Sequence, residues 1–301
     1  MIDFESPSTL NIPGFKKHEK EWGGCYPPNK ISSLDWYKKF ENKIEIQINK
    51  REFFPLFRLS DGEFIFILGR KFHQYTFKKK INYFFQHVKR SIYYGSTFYS
   101  SGRKGYCETY SYFKLGKLRK KFTNQLKELS TKGMLCYNFS PHILTEPYQK
   151  DFLNYMNINN IILNESNYFQ FYFVPGYFLG EKIQEIYRDK RILIFTSDMK
   201  IRNENLKNTL MKFGAKKVDF YKTSLNTPLQ DTIKTNKVED QPDLVLIGAG
   251  VGSANILNQI KDLKCLSIDS GFIVDALSDF NLAKTRPYYL NDFYYDKNDW
   301  F

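Results

Sequence analysis

The spacing of apolar positions changes along the chain, and each change predicts a different element. In "SSLDWYKKFENKIEIQINK" the residues Trp36, Phe40 and Ile44 recur every four positions, which predicts a helix with Ser33 as its N-cap. "FPLFRL", Phe54 to Leu59, is a short apolar run carrying Pro55 and predicts a strand. "GEFIFILG" behind it predicts a buried helix closed by Gly69. Residues 80–94 and 110–131 predict amphipathic helices, each with a basic face, and Gly133 to Phe139 predicts another buried strand.

The last third alternates more plainly. Arg191 to Ser197 predicts a strand, Ile201 to Gly214 a helix closed by its glycine, and "KKVDFYKT" a second strand. A helix is expected near 228–236. Then "DLVLIGAGVGSANILNQIKDLKCLSID" reads strand, glycine turn, helix, strand. Strands alternating with helices over 190–275 imply an α/β fold, a Rossmann-like and mostly parallel sheet flanked by helices, with a helix-rich N-terminal half. Residues 1–30 are rich in Pro, Gly and charge and predict an irregular arm, leaving 31–301 as a single α/β domain.

Composition narrows the class. The 301 residues are 42% hydrophobic and 18% aromatic, too apolar for a disordered chain. A formal charge of +13 favours an anionic partner, whether a phosphorylated small molecule, a membrane surface or nucleic acid. Cys25, Cys107, Cys136 and Cys265 are widely scattered, which speaks against a zinc ribbon or a disulfide framework and for reduced structural thiols. The opening "MIDFESPSTL" has neither a basic n-region nor an apolar h-region. Tyr168 to Gly180 is broken by Pro175 and Gly176 and is too short to span a bilayer. A cytoplasmic protein is expected, with peripheral contact on the inner face of the membrane.

Three stretches carry chemistry. Gly248, Gly250 and Gly252 lie between a strand and a helix beginning near Ser253, where backbone amides can approach a phosphate or carboxylate. The third glycine comes one residue too early for a dinucleotide fingerprint, so a plain tight turn is the competing reading. Asp269 and Asp198 each follow a strand, at the carboxyl edge where open α/β sheets bind ligands. Each suits a ribose, a sugar hydroxyl or a metal, and equally a helix cap.

The third stretch, "RLSDGE", places Arg58, Asp61 and Glu63 between two apolar runs. As a capping box, Ser60 would hold the N3 amide and Glu63 would reach back to the Ser60 amide. As an Asp-x-Glu site, Asp61 and Glu63 would bind Mg²⁺ or Mn²⁺ with a diphosphate, and Arg58 would pair with a phosphate or hold a carboxylate. On the residues alone the two readings stand level.

"RLSDGE" resembles the R-F-G-D-G-E signature of bacterial glycosyltransferases with the GT-D fold. "LVLIGAGVGSANILNQIKDLKCLSIDSG" resembles their closing pattern of strand, turn, helix, strand and D-x-G-H. The resemblance implies a nucleotide-sugar-dependent hexosyltransferase acting in surface polysaccharide or glycoprotein biosynthesis. Its donor would be a UDP-sugar, and its acceptor a glycan, lipid-linked glycan or glycoprotein. Asp61 and Glu63 would then bind Mn²⁺ or Mg²⁺, Arg58 would support them, and Gly248, Gly250 and Asp269 would surround the donor or transfer centre. Ser60 stands where the family has glycine, Phe272 where it has histidine, and Val274 where it has an acid, with Asp275 one residue further on as a substitute catalytic carboxylate.

Other features point less far. His18, His73, His87 and His142 form no ligand spacing, and His73 is the one placed to edge a cleft. "NYFQFYFVPGYF" suits core packing before it suits base or sugar stacking. "YYGSTFYSSGRKGY" reads as a polar loop. Two other classes compete. An S-adenosylmethionine methyltransferase would use the glycine turn, normally at the first strand of its sheet. A nucleic-acid-binding protein would use the charge and aromatics, but no such signature accompanies them, and no nucleic acid is expected.

Overall fold

The computed structural model describes Ile2, Phe4 and residues 7–13, 24–68, 112–139, 146–197, 200–225 and 227–279. Within these, seven parallel strands form one sheet: β3 (Phe54–Leu59), β4 (Met134–Tyr137), β5 (Tyr168–Gln170), β6 (Arg191–Ser197), β7 (Lys217–Thr223), β8 (Leu244–Gly248) and β9 (Leu266–Asp269). Their spatial order is β5-β4-β3-β9-β8-β6-β7. The fold is therefore α/β and Rossmann-like, as the alternation implies. The first and last strands of the sheet are central neighbours, with Leu56 opposite Ile268. The chain builds outward from β3 on one side, then crosses to build the other half and returns beside β3. In open α/β sheets such a reversal places the ligand crevice at the carboxyl ends of the adjoining strands, here β3 and β9.

Burial explains which strands the sequence displays best. Ile192 to Phe195 and Leu244 to Ile247 are buried on both faces, so β6 and β8 are continuous apolar runs. β7 is an edge, and only Val218 and Thr223 of it are buried. The other edge, β5, has three residues, which limits the pairing template it offers.

Helices cover the sheet. α1 (Ser33–Asn49) starts one residue earlier than an N-cap at Ser33 would give: the cap is Ser32, whose Oγ accepts from the Asp35 amide at 3.1 Å. Its buried Trp36, Tyr37 and Phe40 meet Phe169, Phe173 and Tyr177 edge to face or tilted. The aromatic run is thus core, shared between β5 and the short helix over Phe173–Phe178. α2 (Asp61–Leu68) follows β3 directly, α3 (Tyr112–Lys132) buries Phe122, Leu126 and Leu129, and α4 (Glu146–Ile158) buries Phe152 and Met156. α5 (Phe173–Phe178) and α6 (Ile183–Tyr187) are short, and α7 (Lys200–Lys212) ends before Gly214, which takes φ +87°. α8 (Ser253–Leu257) and α9 (Phe272–Ser278) flank β9 in sequence.

Several expectations need correction or placement. The helix expected near 228–236 is two separate 3-10 turns, Pro228–Gln230 and Thr235–Lys237. β5, α4, α5, α6 and α9 are additions to the elements read from the sequence. In the opening segment, β1 (Ser8–Thr9) pairs antiparallel with β2 (Gly24–Cys25), and Leu10, Ile12 and Cys25 enter the core. Cys25, Cys136 and Cys265 are free and buried, and burial pushes the Cys25 and Cys265 thiols up to about 12. Such thiols stay protonated and inert. Cys107, the four histidines, the helix expected over 80–94 and the loop Tyr93 to Tyr106 lie outside the described residues. Among the described residues no helix is long and apolar enough to cross a membrane.

Candidate functional site

Two residues far apart in sequence meet at the crevice. Arg58 leaves β3 near its carboxyl end, and Asp269 ends β9. The Arg58 Nε–H donates to the Asp269 carbonyl at 2.6 Å, and its amide donates to Asp269 Oδ2 at 3.3 Å. Nε and Oδ2 are 3.9 Å apart, and both side chains are 6% exposed. The guanidinium carbon lies 4.8 Å from the Phe171 ring centroid, a cation–π contact. No hydrogen bond engages Arg58 Nη1 or Nη2 among the described residues, so most donors of a nearly buried cation are uncommitted.

Gly271 makes that arrangement possible. It has φ +43°, and a Cβ there would stand 2.0 Å from Arg58 Nη2. The turn is fixed by the Ser270 and Gly271 amides, which both donate to the Ile247 carbonyl at 2.9 and 3.1 Å.

Around Asp269 three buried oxygen atoms have no hydrogen-bond partner among the described residues: Asp269 Oδ1, Ser253 Oγ and Ser270 Oγ. Burial pushes the Asp269 carboxyl above its ordinary value, opposed by the Arg58 guanidinium, the Ser253 hydroxyl and the Arg58 amide. The Ser253 hydroxyl is near enough to temper the shift without making a hydrogen bond of full geometry. Asn138 Oδ1, beyond β4, is likewise unpartnered, while its amide nitrogen donates to Ser60 Oγ at 3.0 Å. Unpaired buried polar atoms are uncommon and call for an explanation, of which a ligand is one.

Across the crevice, Asp61 opens α2 and its side chain lies outside the described residues. Glu63 is buried, and its Oε2 accepts from the Ser60 amide at 3.0 Å. That contact is the Glu63 half of a capping box. Residues two apart on a helix do not share a face, so the helical backbone alone does not converge Asp61 and Glu63. The donor chemistry nevertheless suits a hard divalent ion: carboxylates at Asp61 and Glu63, and an oxygen of Asp269 without a hydrogen bond. Among the described residues no three of His, Cys, Asp and Glu are gathered.

The glycine turn divides by role. Gly252 is packed, because a Cβ would come within 2.3 Å of Pro228. Gly248 has ordinary room, 3.6 Å from Val274. Gly250 has φ +53° with nothing within 4 Å, so it alone combines a demanding backbone with open space. Behind it α8 is only five residues long. Asp275 sits in the first turn of α9 and pairs with Arg202 Nη1 at 2.9 Å, while Arg202 Nη2 donates to Thr196 Oγ1 at 3.1 Å. It thereby ties α9 to α7. Asp198 lies outside the described residues.

Phe171, Ser270 and Asn138 were not singled out by sequence reasoning. Ser270 had a signal, adjacency to Asp269 after a strand. Phe171 had none that separated it from the rest of its aromatic run.

No family model matches the chain, and no curated protein matches it. Among solved structures it is similar to one described as the selenomethionine-substituted structure of domain of unknown function 1792. The identity is 16% and the TM-score 0.46, over 85% of this chain and 93% of that one. A likeness at that level fixes no shared activity.

Proposed function

We propose that the protein is a metal-dependent glycosyltransferase that moves a sugar from a nucleotide-diphosphate donor, a UDP-sugar, to a glycan, lipid-linked glycan or glycoprotein. The observation that carries the reading is Arg58: a nearly buried guanidinium with its two terminal nitrogens uncommitted, beside orphaned oxygens of Asp269, Ser253 and Ser270 at the switch-point crevice. A fork of cationic donors suits the oxygens of a diphosphate, and the orphaned oxygens suit sugar or ribose hydroxyls.

Within this reading Arg58 binds the donor diphosphate through Nη1 and Nη2. Asp269 and the Phe171 ring hold the guanidinium, so that little of its freedom remains to be lost on binding. The open backbone at Gly250 lets the donor approach the sheet edge. Asp61 would hold Mn²⁺ or Mg²⁺, with Glu63 shared between that role and its cap. Such an ion, when bound, neutralises charge developing on the departing diphosphate. Asp275, engaged with Arg202, ties two helices together and has no assigned proton-transfer role.

Titration of the protein with UDP-, GDP- and CMP-sugars, in Mn²⁺ and in EDTA, tests this. Wild type should bind one donor class in a Mn²⁺-dependent way. Arg58→Lys, which loses the fork and keeps the charge, should weaken donor binding by about tenfold or more, roughly 1.4 kcal/mol. Asp61→Asn should abolish the Mn²⁺ dependence. Folded Arg58→Lys and Asp61→Asn proteins that bind every donor as wild type does would remove the reading.

A further inference from the structure

At the opposite end of the sheet, where β6, β8 and β9 begin, a second concavity of about 220 Å³ is lined by Lys50, Arg51, Lys190, Asp243, Lys264 and Cys265, among others. Four of those six are cations. The carboxylate among them is already answered: Asp243 Oδ1 lies 2.8 Å from Arg51 Nη2, and Oδ2 accepts from the Arg191 amide at 2.9 Å with its Nε 3.4 Å away. One negative charge therefore faces two guanidiniums. The ammonium groups of Lys50, Lys190 and Lys264 have no ion pair or hydrogen bond among the described residues. Glu52, Asp189 and Asp262 are close in sequence, and none of them pairs with these lysines.

The backbone adds a second observation. Lys264 follows the 3-10 turn Lys261–Leu263 at φ +43°, a left-handed conformation that costs a residue carrying a Cβ. A Gly or Asn would fill that corner with less strain, so the chain keeps a lysine where its backbone disfavours one.

We propose that this concavity is an anion site for phosphoryl groups, distinct from the crevice at β3 and β9. Its volume is that of several water molecules, each taking about 30 Å³ in the liquid, which is room for one or two phosphoryl groups. Lysines supply point charges rather than a fork, which suits phosphate recognition without a fixed orientation. The concavity is open on one side, so the phosphoryl groups belong either to a free phosphate or pyrophosphate or to a larger molecule that projects one.

Isothermal titration with pyrophosphate and, separately, with ADP, in EDTA and at ionic strength matched with NaCl, tests it. EDTA removes any contribution from a cation held at Asp61. Wild type should bind at least one probe saturably. The combined Lys50→Gln, Lys190→Gln, Lys264→Asn protein should bind it at least about tenfold more weakly, with its melting temperature in the absence of probe unchanged. If Lys264→Asn lowers that melting temperature, the Lys50→Gln, Lys190→Gln protein carries the same test. Tighter binding of pyrophosphate assigns the site to a free anion, and tighter binding of ADP assigns it to a larger molecule. Unsaturable heats in wild type, or equal affinity in the folded variant, would overturn the proposal. Probe bound at Arg58 would survive the lysine substitutions, so the lysine-dependent part of the affinity alone reports on this concavity.

Discussion

A single absent side chain governs the candidate site. Gly271 leaves space for Arg58 Nη2 where a Cβ would stand at 2.0 Å, and it adopts φ +43°. Gly271→Ala should therefore cost about 1–3 kcal/mol, from backbone strain and from displacing a nearly buried cation. Urea unfolding measures this. The two contributions separate in a double-mutant cycle with Arg58→Ala. If the clash is the larger part, Gly271→Ala costs at least about 0.5 kcal/mol less once the guanidinium is gone. Additive losses would place the whole effect in the backbone.

At the scale of elements, the start of α2 is where structure and chemistry compete for one carboxylate. Glu63 Oε2 accepts the Ser60 amide, and a glutamine can do the same. Glu63→Gln should thus leave stability within about 0.5 kcal/mol of wild type, whereas Glu63→Ala should lose about 1 kcal/mol. Thermal melts of both variants distinguish a cap from a group held only for a ligand, which neither change would destabilise. Elements buried on both faces were the legible ones: β6 and β8 announce themselves as unbroken apolar runs, and α1 by its four-residue spacing. The segment 228–236 misleads because Pro228 and Leu229 serve a 3-10 turn packed against Gly252, whereas Ile233 falls between that turn and the next. The seven-residue α9 is too short to show a period. The site itself was only half legible. Asp269 follows from its place after a strand, but its contact with Arg58 spans 211 positions and depends on β3 lying beside β9. Strand order is decided by packing, and no local pattern encodes it.

Across the whole molecule, two carboxylates at opposite ends of the sheet are shifted in opposite directions from the same ordinary value of 3.8, and they make opposite demands on pH. Burial would raise Asp243, but the Arg191 amide and the Arg51 and Arg191 guanidiniums outweigh it and hold the carboxyl low. Its stabilisation is therefore present above the unfolded value and lost as pH falls through the lower folded value. Burial dominates at Asp269 and raises it. That contribution is complete below the unfolded value and is lost as pH rises through the folded one. Unfolding by urea at intervals from pH 3 to pH 7 should separate them. The stability advantage of wild type over Asp243→Asn should widen as pH rises from 3 and reach about 1–3 kcal/mol by neutrality, the cost of a multiply bonded carboxylate. Its advantage over Asp269→Asn should instead narrow over the same rise. Parallel curves for the two variants would mean that neither carboxylate differs between folded and unfolded chain. Curves that diverge in the reverse sense would mean that Arg58 outweighs burial at Asp269, making the pair an ion pair held for stability and leaving the guanidinium less free to meet a ligand.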